Sequence, residues 1–172
     1  MRSQTVLLVG LLLLAGCFSA SQAPVDLADT YAVSSEEDFL VKMLFVEQEV
    51  LAASLLVVEG VDEEEALASL ALRIGEDAQG AVTSLQRLVD VRAIPADARY
   101  APLIADLSLF AGERREYEYV SGVLASREVS LGLARSALEL ELSSEVELLA
   151  SMFIDVHSSE VELLEGLLRA YQ

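Results

Sequence analysis

The sequence predicts an all-α fold, an antiparallel four-helix bundle made of two similar helical hairpins. Apolar residues recur at helical spacing in four long segments, and no segment shows the alternation that is typical of a strand. Hydrophobic residues make up 53% of the chain and aromatic residues only 6%, which favours helices rich in Leu, Ala and Val. The connections run short, long, short, so consecutive helices are expected to be antiparallel neighbours.

The first hairpin is expected over about residues 36–91. Its first helix is predicted to begin at Ser35, whose side chain can accept a hydrogen bond from the backbone amide near Asp38, and to stop at Gly60. Its second helix is predicted to begin with a run of glutamates, which suit the positive end of the helix dipole, and to reach about Val91.

The second hairpin is expected over about residues 113–170, after a connector that contains prolines. The third helix is predicted to end near Leu140. Ser144 and Glu147 have the spacing of a capping box for a fourth helix that reaches Arg169. The core face of this last helix is predicted to be an apolar stripe formed by Leu149, Phe153, Val156, Leu163, Leu164 and Leu167.

The two hairpins resemble each other in sequence. Helix one aligns with helix three at an offset of 80, which places Phe39 over Tyr119 (residue 119 minus residue 39). Helix two aligns with helix four at an offset of 79, which places Leu70 over Leu149 (residue 149 minus residue 70). Such a repeat predicts that an approximate twofold axis relates the hairpins.

The start of the chain has the features of an export signal. Arg2 precedes an apolar run over residues 6–15, which is too short to cross a bilayer as a helix. The run closes on Leu14-Ala15-Gly16-Cys17, which resembles the lipobox of bacterial lipoproteins. The resemblance implies that residues 1–16 are a signal peptide and that Cys17 carries lipid, which would hold the protein on a membrane. The alternative is an ordinary secretory signal with an incidental cysteine.

The composition of the rest of the chain indicates how it is organised and which partners it can have. Residues 17–34, the lipidated Cys17 and the small, polar residues after it, are expected to be a flexible tether, and residues 35–172 to be the bundle. Cys17 is the only cysteine, so the exported chain has no disulfide and must fold by packing. The net charge is −18 at pH 7, which excludes nucleic acid as an expected partner because phosphate binding needs a basic surface.

A pattern of apolar positions recurs in helices one and three. In the first repeat the positions are Met43, Leu44, Val46, Glu47, Val50, Leu51, Ala53 and Ser54, and in the second they are Val123, Leu124, Ser126, Arg127, Ser130, Leu131, Leu133 and Ala134. This frame resembles that of domain-of-unknown-function family 305, a ferritin-like group of exported proteins with Met-Ile-x-His-His-x-x-Ala-Ile-x-Met-Ala in the first helix of each unit. The resemblance implies a ferritin-like bundle over about residues 36–170. In members with intact His and Met residues it also implies binding of copper or similar soft metals.

Both histidine pairs of that motif are replaced in this sequence, the first by Val46-Glu47 and the second by Ser126-Arg127. No metal site and no cofactor are therefore predicted. The residues that could still bind a metal are His157 and Glu160, three residues apart on one helix face, and Met43. A packed or exposed histidine beside a carboxylate is the commoner arrangement, and Met43 and Met152 are expected to fill the core. A single histidine also cannot supply the paired Glu-x-x-His motifs of a di-iron bundle.

The second members of the replaced pairs are Glu47 and Arg127, which have opposite charge. If an approximate twofold axis relates the hairpins, these positions face each other across the core. The sequence therefore predicts a structural ion pair between them where metal would otherwise sit, with Ser126 as a further hydrogen-bonding group. The alternative is that both side chains reach solvent separately.

Three functions remain open from the sequence. The first is a non-catalytic helical module, anchored by lipid on the extracytoplasmic side of the bacterial cell envelope, that binds another envelope protein or an apolar ligand. The second is residual copper-like metal binding or storage. The third, an enzyme, is not expected, because the sequence contains no credible nucleophile–histidine set and no Gly-rich phosphate loop.

Overall fold

The protein is an all-α bundle of two helical hairpins. The computed structural model describes residues 31–59, 65–89, 107 and 109–171. The helices are α1 (Glu36–Glu59), α2 (Glu65–Leu88), α3 (Glu113–Ala137) and α4 (Ser144–Leu168), and a short 3-10 helix over Arg169–Tyr171 follows α4. Within these ranges no residue belongs to a strand. Helix α1 packs against α2, α3 packs against α4, and α1 also packs against α3, so the predicted fold class is confirmed.

Helices α1 and α3 begin where the sequence predicts. The Asp38 amide donates to the Ser35 hydroxyl oxygen at 3.1 Å, and the Phe39 amide donates to the Ser35 carbonyl at 3.0 Å. Gly112 precedes α3 with a φ of 56°, in the left-handed region that favours glycine. Both starts therefore follow from the local chemistry of one residue.

The predicted capping box at the start of α4 is wrong. Ser144 is already helical, and the residue that caps the helix is Ser143. Its hydroxyl donates to the Glu36 carboxylate at 3.1 Å, and its amide donates to the same carboxylate at 2.6 Å. The charged oxygens of Glu36, which come from the start of α1, replace the local capping interaction because they are the stronger acceptors.

Helices α2 and α3 end at Leu88 and Ala137, about three residues before the predicted positions, and α4 ends at Leu168, one residue before the predicted Arg169. At the end of α3 the Glu139 amide donates to the Ser136 carbonyl at 3.2 Å, and the Leu140 amide donates to the Ala137 carbonyl at 2.9 Å. These bonds span three residues rather than four, so they tighten the last turn and direct the chain toward α4.

The core consists of two apolar clusters, one toward each end of the bundle. The first cluster contains Phe39, Met43 and Phe153, and the second contains Ile74, Tyr119 and Leu164, each with further buried aliphatic residues. The α4 side chains buried in the core are Val146, Ala150, Phe153, His157, Glu160 and Leu164. The predicted stripe of α4 is therefore wrong in part, since Val156 is 41% exposed and Leu163 is 37% exposed. Met152, expected in the core, is 53% exposed.

The residues just before α1 are docked on the bundle. Val33 is 8% exposed, and its amide donates to the Ser136 hydroxyl at 3.1 Å. The Lys42 ammonium donates to the Ala32 carbonyl at 2.7 Å. A side-chain carbon at Gly132 would overlap the Tyr31 ring. The expectation of a flexible tether over residues 17–34 therefore fails for its last part, because Val33 buries apolar surface there; residues 17–30 lie outside the described residues.

Candidate functional site

A layer of polar side chains crosses the middle of the bundle, between the two apolar clusters. It contains Glu47 of α1, Arg127 of α3, and His157 and Glu160 of α4, all buried. On each helix the residues three or four positions before and after these side chains are buried, so the helical spacing itself turns these four side chains inward. We call these four residues the polar layer.

Glu47 and Arg127 form the ion pair that the sequence predicts. Arg127 Nη1 donates to both carboxylate oxygens of Glu47, at 2.7 and 2.9 Å, and both side chains are fully buried. The residues are 80 positions apart, so positions of α1 and α3 that are equivalent in the sequence repeat meet in the core. Ser126 does not take part, because its hydroxyl donates to the Gly122 carbonyl. Ser130 takes that place, with its hydroxyl 3.4 Å from Glu47 Oε1.

Glu160 is the second carboxylate that contacts Arg127. Its Oε2 lies 2.5 Å from Arg127 Nε, and Glu160 is 5% exposed. The Nε–H bond is not aimed at this oxygen, so the contact is an ion pair without hydrogen-bond alignment. Glu160 Oε1 and Arg127 Nη2 have no hydrogen-bond partner among the described residues. The guanidinium therefore bridges two carboxylates and leaves polar atoms of the layer unsatisfied.

His157 completes the polar layer as a neutral imidazole. Burial, and then the charge of Arg127, lower the pKa of His157 to about 2. Its Nε2 lies 3.5 Å from Glu47 Oε1, and its ring centroid is 5.2 Å from that of Phe153. Within the described part of the chain its Nδ1 has no partner. The histidine is therefore a packed core residue beside carboxylates.

The charges of the polar layer do not cancel. Burial raises the pKa of Glu47 and that of Glu160, although the contact with Arg127 acts in the opposite direction. Burial disfavours the charge of Arg127, but the two carboxylates outweigh it and raise its pKa. The charge of Asp77 on α2 further raises the pKa of both glutamates. One guanidinium thus faces two buried carboxyl groups and a third carboxylate close by.

The metal candidates are not assembled into a site. In the described ranges no group of three or more His, Cys, Asp or Glu side chains is placed to hold a metal ion. His157 and Glu160 are brought close together, but the Arg127 guanidinium lies against Glu160, where a metal would have to bind. Met43 is fully buried in the first apolar cluster. The lipidation candidate Cys17 lies outside the described residues.

An open cleft between α2 and α4, with α3 along its apolar part, leads to the polar layer and was missed by sequence reasoning. Its apolar part, about 380 Å³, is lined mainly by Leu67, Leu70, Val120, Leu163 and Leu167. Its acidic part, about 500 Å³, is lined by Arg73, Asp77, Asp155, Val156, Ser159, Glu160 and Leu163. Arg73 and Leu163 line both parts, so the two are neighbours. The sequence signal for the cleft was Val156 and Leu163. Both belong to the predicted apolar stripe, but they line the cleft and are not buried in the core.

Comparisons with known proteins give no relative. No family model matches the chain, and neither the curated proteins nor the solved structures include a significant match. In the part of the chain that the structure describes, no helix is both long enough and apolar enough to cross a bilayer.

Proposed function

We propose that this protein is a non-catalytic binding module, held by lipid on Cys17 at the extracytoplasmic side of the bacterial cell envelope. We also propose that it is a degenerate relative of family 305 in which an ion-pair layer replaces the histidine motifs. The lipobox-like Leu14-Ala15-Gly16-Cys17 supports the anchor, and the repeat of α1 in α3 supports the kinship.

The single observation that carries a binding function is the apolar part of the cleft. Ligand sites are concave and mostly apolar, with a few polar groups that fix orientation. The cleft has this character, because its lining includes Leu70, Leu163 and Leu167 together with the polar groups of Arg73 and Tyr171. The Tyr171 hydroxyl donates to Glu116 at 3.1 Å, which ties the end of the chain to α3 beside the cleft.

The polar layer supports a structural role for the buried charges rather than a catalytic one. Arg127 has both carboxylates as partners, and burial holds His157 in its neutral form. Catalytic groups need access to a substrate, whereas Glu47 and Arg127 are fully buried. The binding surface is therefore the cleft, and the layer beneath it fixes the arrangement of the helices.

Photolabelling tests the binding function directly. The full-length chain in phosphatidylcholine nanodiscs is irradiated with a neutral alkyl diazirine, and labelled peptides are mapped by mass spectrometry. We expect labels on both walls of the cleft, in the segments that contain Leu70 and Leu163. Leu70→Asn should reduce this labelling at least about tenfold, because an uncompensated amide disfavours an apolar ligand.

The matched control is Leu72→Asn, which changes a 52% exposed leucine of the same helix outside the cleft. It should leave the labelling unchanged. Labels spread evenly over the exposed leucines, or equal loss in the two variants, would show that the cleft is not a binding site.

A further inference from the structure

The acidic part of the cleft has an excess of negative charge that reaches into the core. Three carboxylates line it, from Asp77, Asp155 and Glu160, against the single guanidinium of Arg73. Acidic side chains at a surface usually face only water, but Glu160 is different because it is 5% exposed and belongs to the polar layer. The cleft therefore contains a buried carboxylate as well as surface charge.

Glu160 also has unused hydrogen-bonding capacity. Arg127 lies against Oε2, whereas Oε1 accepts no hydrogen bond from any described residue. A buried carboxylate oxygen without a donor costs free energy, and a ligand that donates to it recovers that cost. The requirement is for an N–H or O–H donor, with positive charge favoured by the surrounding carboxylates.

The geometry points to the chemical class of the ligand. We propose that the cleft binds an amphiphilic primary ammonium compound, whose ammonium group contacts Glu160 and Asp77 and whose apolar body lies against Leu163 and Leu70. This inference rests on the proposed binding function and names its ligand. Leu163 lines both parts of the cleft, so a single molecule can use the acidic and the apolar part together.

Other ligand classes fit these residues less well. An inorganic divalent cation needs several convergent oxygen ligands, and the described residues offer no such group of three. An anionic amphiphile would bring its charge next to Asp77, Asp155 and Glu160. A neutral alcohol can donate one hydrogen bond but gains nothing from the excess of negative charge. A quaternary ammonium has the charge but no N–H group for Glu160 Oε1.

Competition against the neutral diazirine label tests this inference on the full-length chain in phosphatidylcholine nanodiscs. The competitors are n-hexylammonium, n-hexanol and hexanoate, which share an alkyl chain and differ in the head group. We expect hexylammonium to halve labelling at a concentration at least about tenfold below that of hexanol, and hexanoate to be the weakest. The preference for hexylammonium should fall as salt is added, because part of the attraction is between partly exposed charges.

Two variants connect the preference to the named carboxylates. Glu160→Gln and Asp77→Asn should each reduce the advantage of hexylammonium over hexanol about tenfold or more. Asp77 is exposed, so its variant is expected to fold even if Glu160→Gln does not. The control is Glu162→Gln, which removes one charge from an exposed position of α4 that does not line the cleft. It should retain the full preference.

The outcomes separate the two proposals. Labelling of the cleft with equal competition by hexylammonium, hexanol and hexanoate would overturn the ammonium ligand while leaving the binding function intact. Absence of cleft labelling would overturn both. A preference for hexylammonium that survives Asp77→Asn, or calcium that competes as well as hexylammonium does, would also contradict this inference.

Discussion

At the scale of single residues, a salt-bridge network occupies the middle of the bundle. Arg127 is the centre of that network because its guanidinium contacts carboxylates from two different helices, Glu47 on α1 and Glu160 on α4. A buried ion pair is weak evidence for net stabilisation, because desolvation of both charges offsets their attraction. Its strong effect appears when one partner is removed and the other charge stays buried.

We expect Glu47→Leu and Arg127→Met each to lower the free energy of unfolding by roughly 3 to 5 kcal/mol, because each leaves a buried charge without its main partner. The double variant should lose much less than the sum of the single losses. Urea unfolding of all four proteins gives the coupling energy. Glu165→Gln, which removes the exposed pair with Arg169, is the control and should cost under about 1 kcal/mol. Additive losses for Glu47 and Arg127 would contradict the prediction.

His157 should make stability depend on pH below neutrality. Its folded pKa is about 2, against an ordinary value of 6.5, so below pH 6.5 the unfolded chain binds a proton that the folded chain does not. The resulting stability is present above pH 6.5 and falls by about 1.4 kcal/mol for each pH unit below it. The raised pKa values of Glu47 and Glu160 act in the opposite direction, because those groups take up protons more readily when folded.

The His157→Gln variant isolates the histidine contribution, since the carboxylates remain. Between pH 7.5 and 5.5 the wild type should lose about 1.4 kcal/mol more than the variant, measured by urea unfolding at each pH. Parallel pH profiles for the two proteins would show that His157 takes up its proton in the folded state.

At the scale of the elements, the docking of the segment before α1 depends on the close approach of the Tyr31 ring to Gly132 of α3. Gly132→Ala would place a methyl group in the Tyr31 ring, whereas Gly80→Ala meets no atom within 4 Å. Both changes should stabilise their helices by up to about 1 kcal/mol through propensity. Only Gly132→Ala should speed hydrogen exchange at the Val33 amide, which donates to Ser136. Equal protection of Val33 in the two variants would contradict this dependence.

The elements also show where sequence reasoning succeeds. The starts of α1 and α3 depend on neighbours in the chain, Ser35 and Gly112, and such local signals can be read directly. The start of α4 depends on Glu36, which lies 107 residues before Ser143. A contact between residues so far apart in the chain leaves no signal in the sequence around α4. The capping residue was therefore predicted to be Ser144, one residue after the observed Ser143.

The candidate site was predictable only in part for a related reason. The repeat aligns Glu47 with Arg127, and that was enough to predict their ion pair. The participation of Glu160 was missed because the stripe of α4 was assembled from apolar residues alone, whereas His157 and Glu160 are polar residues at core positions. The spacing of the core residues Val146, Ala150, Phe153, His157, Glu160 and Leu164, in steps of four and three, was the signal that would have identified them.

At the scale of the whole molecule, the proposed attachment to a membrane depends on one residue near the start of the chain, Cys17. If Cys17 carries lipid, Cys17→Ser should stop processing at that site and change membrane fractionation, because the acyl chains that hold the protein are never added. Mass spectrometry of the mature N-terminus gives the attached groups. A wild-type protein that begins at another residue and bears no acyl group would show that the lipobox interpretation is wrong.

Docking of residues 31–34 also fixes where the chain joins the bundle relative to the cleft. The chain joins the bundle beside Gly132 and Ser136, near the end of α3, whereas the apolar part of the cleft includes Glu116 near the start of that helix. The distance along the axis from Gly132 to Glu116 is about 24 Å at the rise of an α-helix. The chain therefore enters the bundle at the end opposite the apolar part of the cleft, and residues 31–34 are not among the residues that line it. A ligand can thus reach the apolar part of the cleft without displacement of the docked segment.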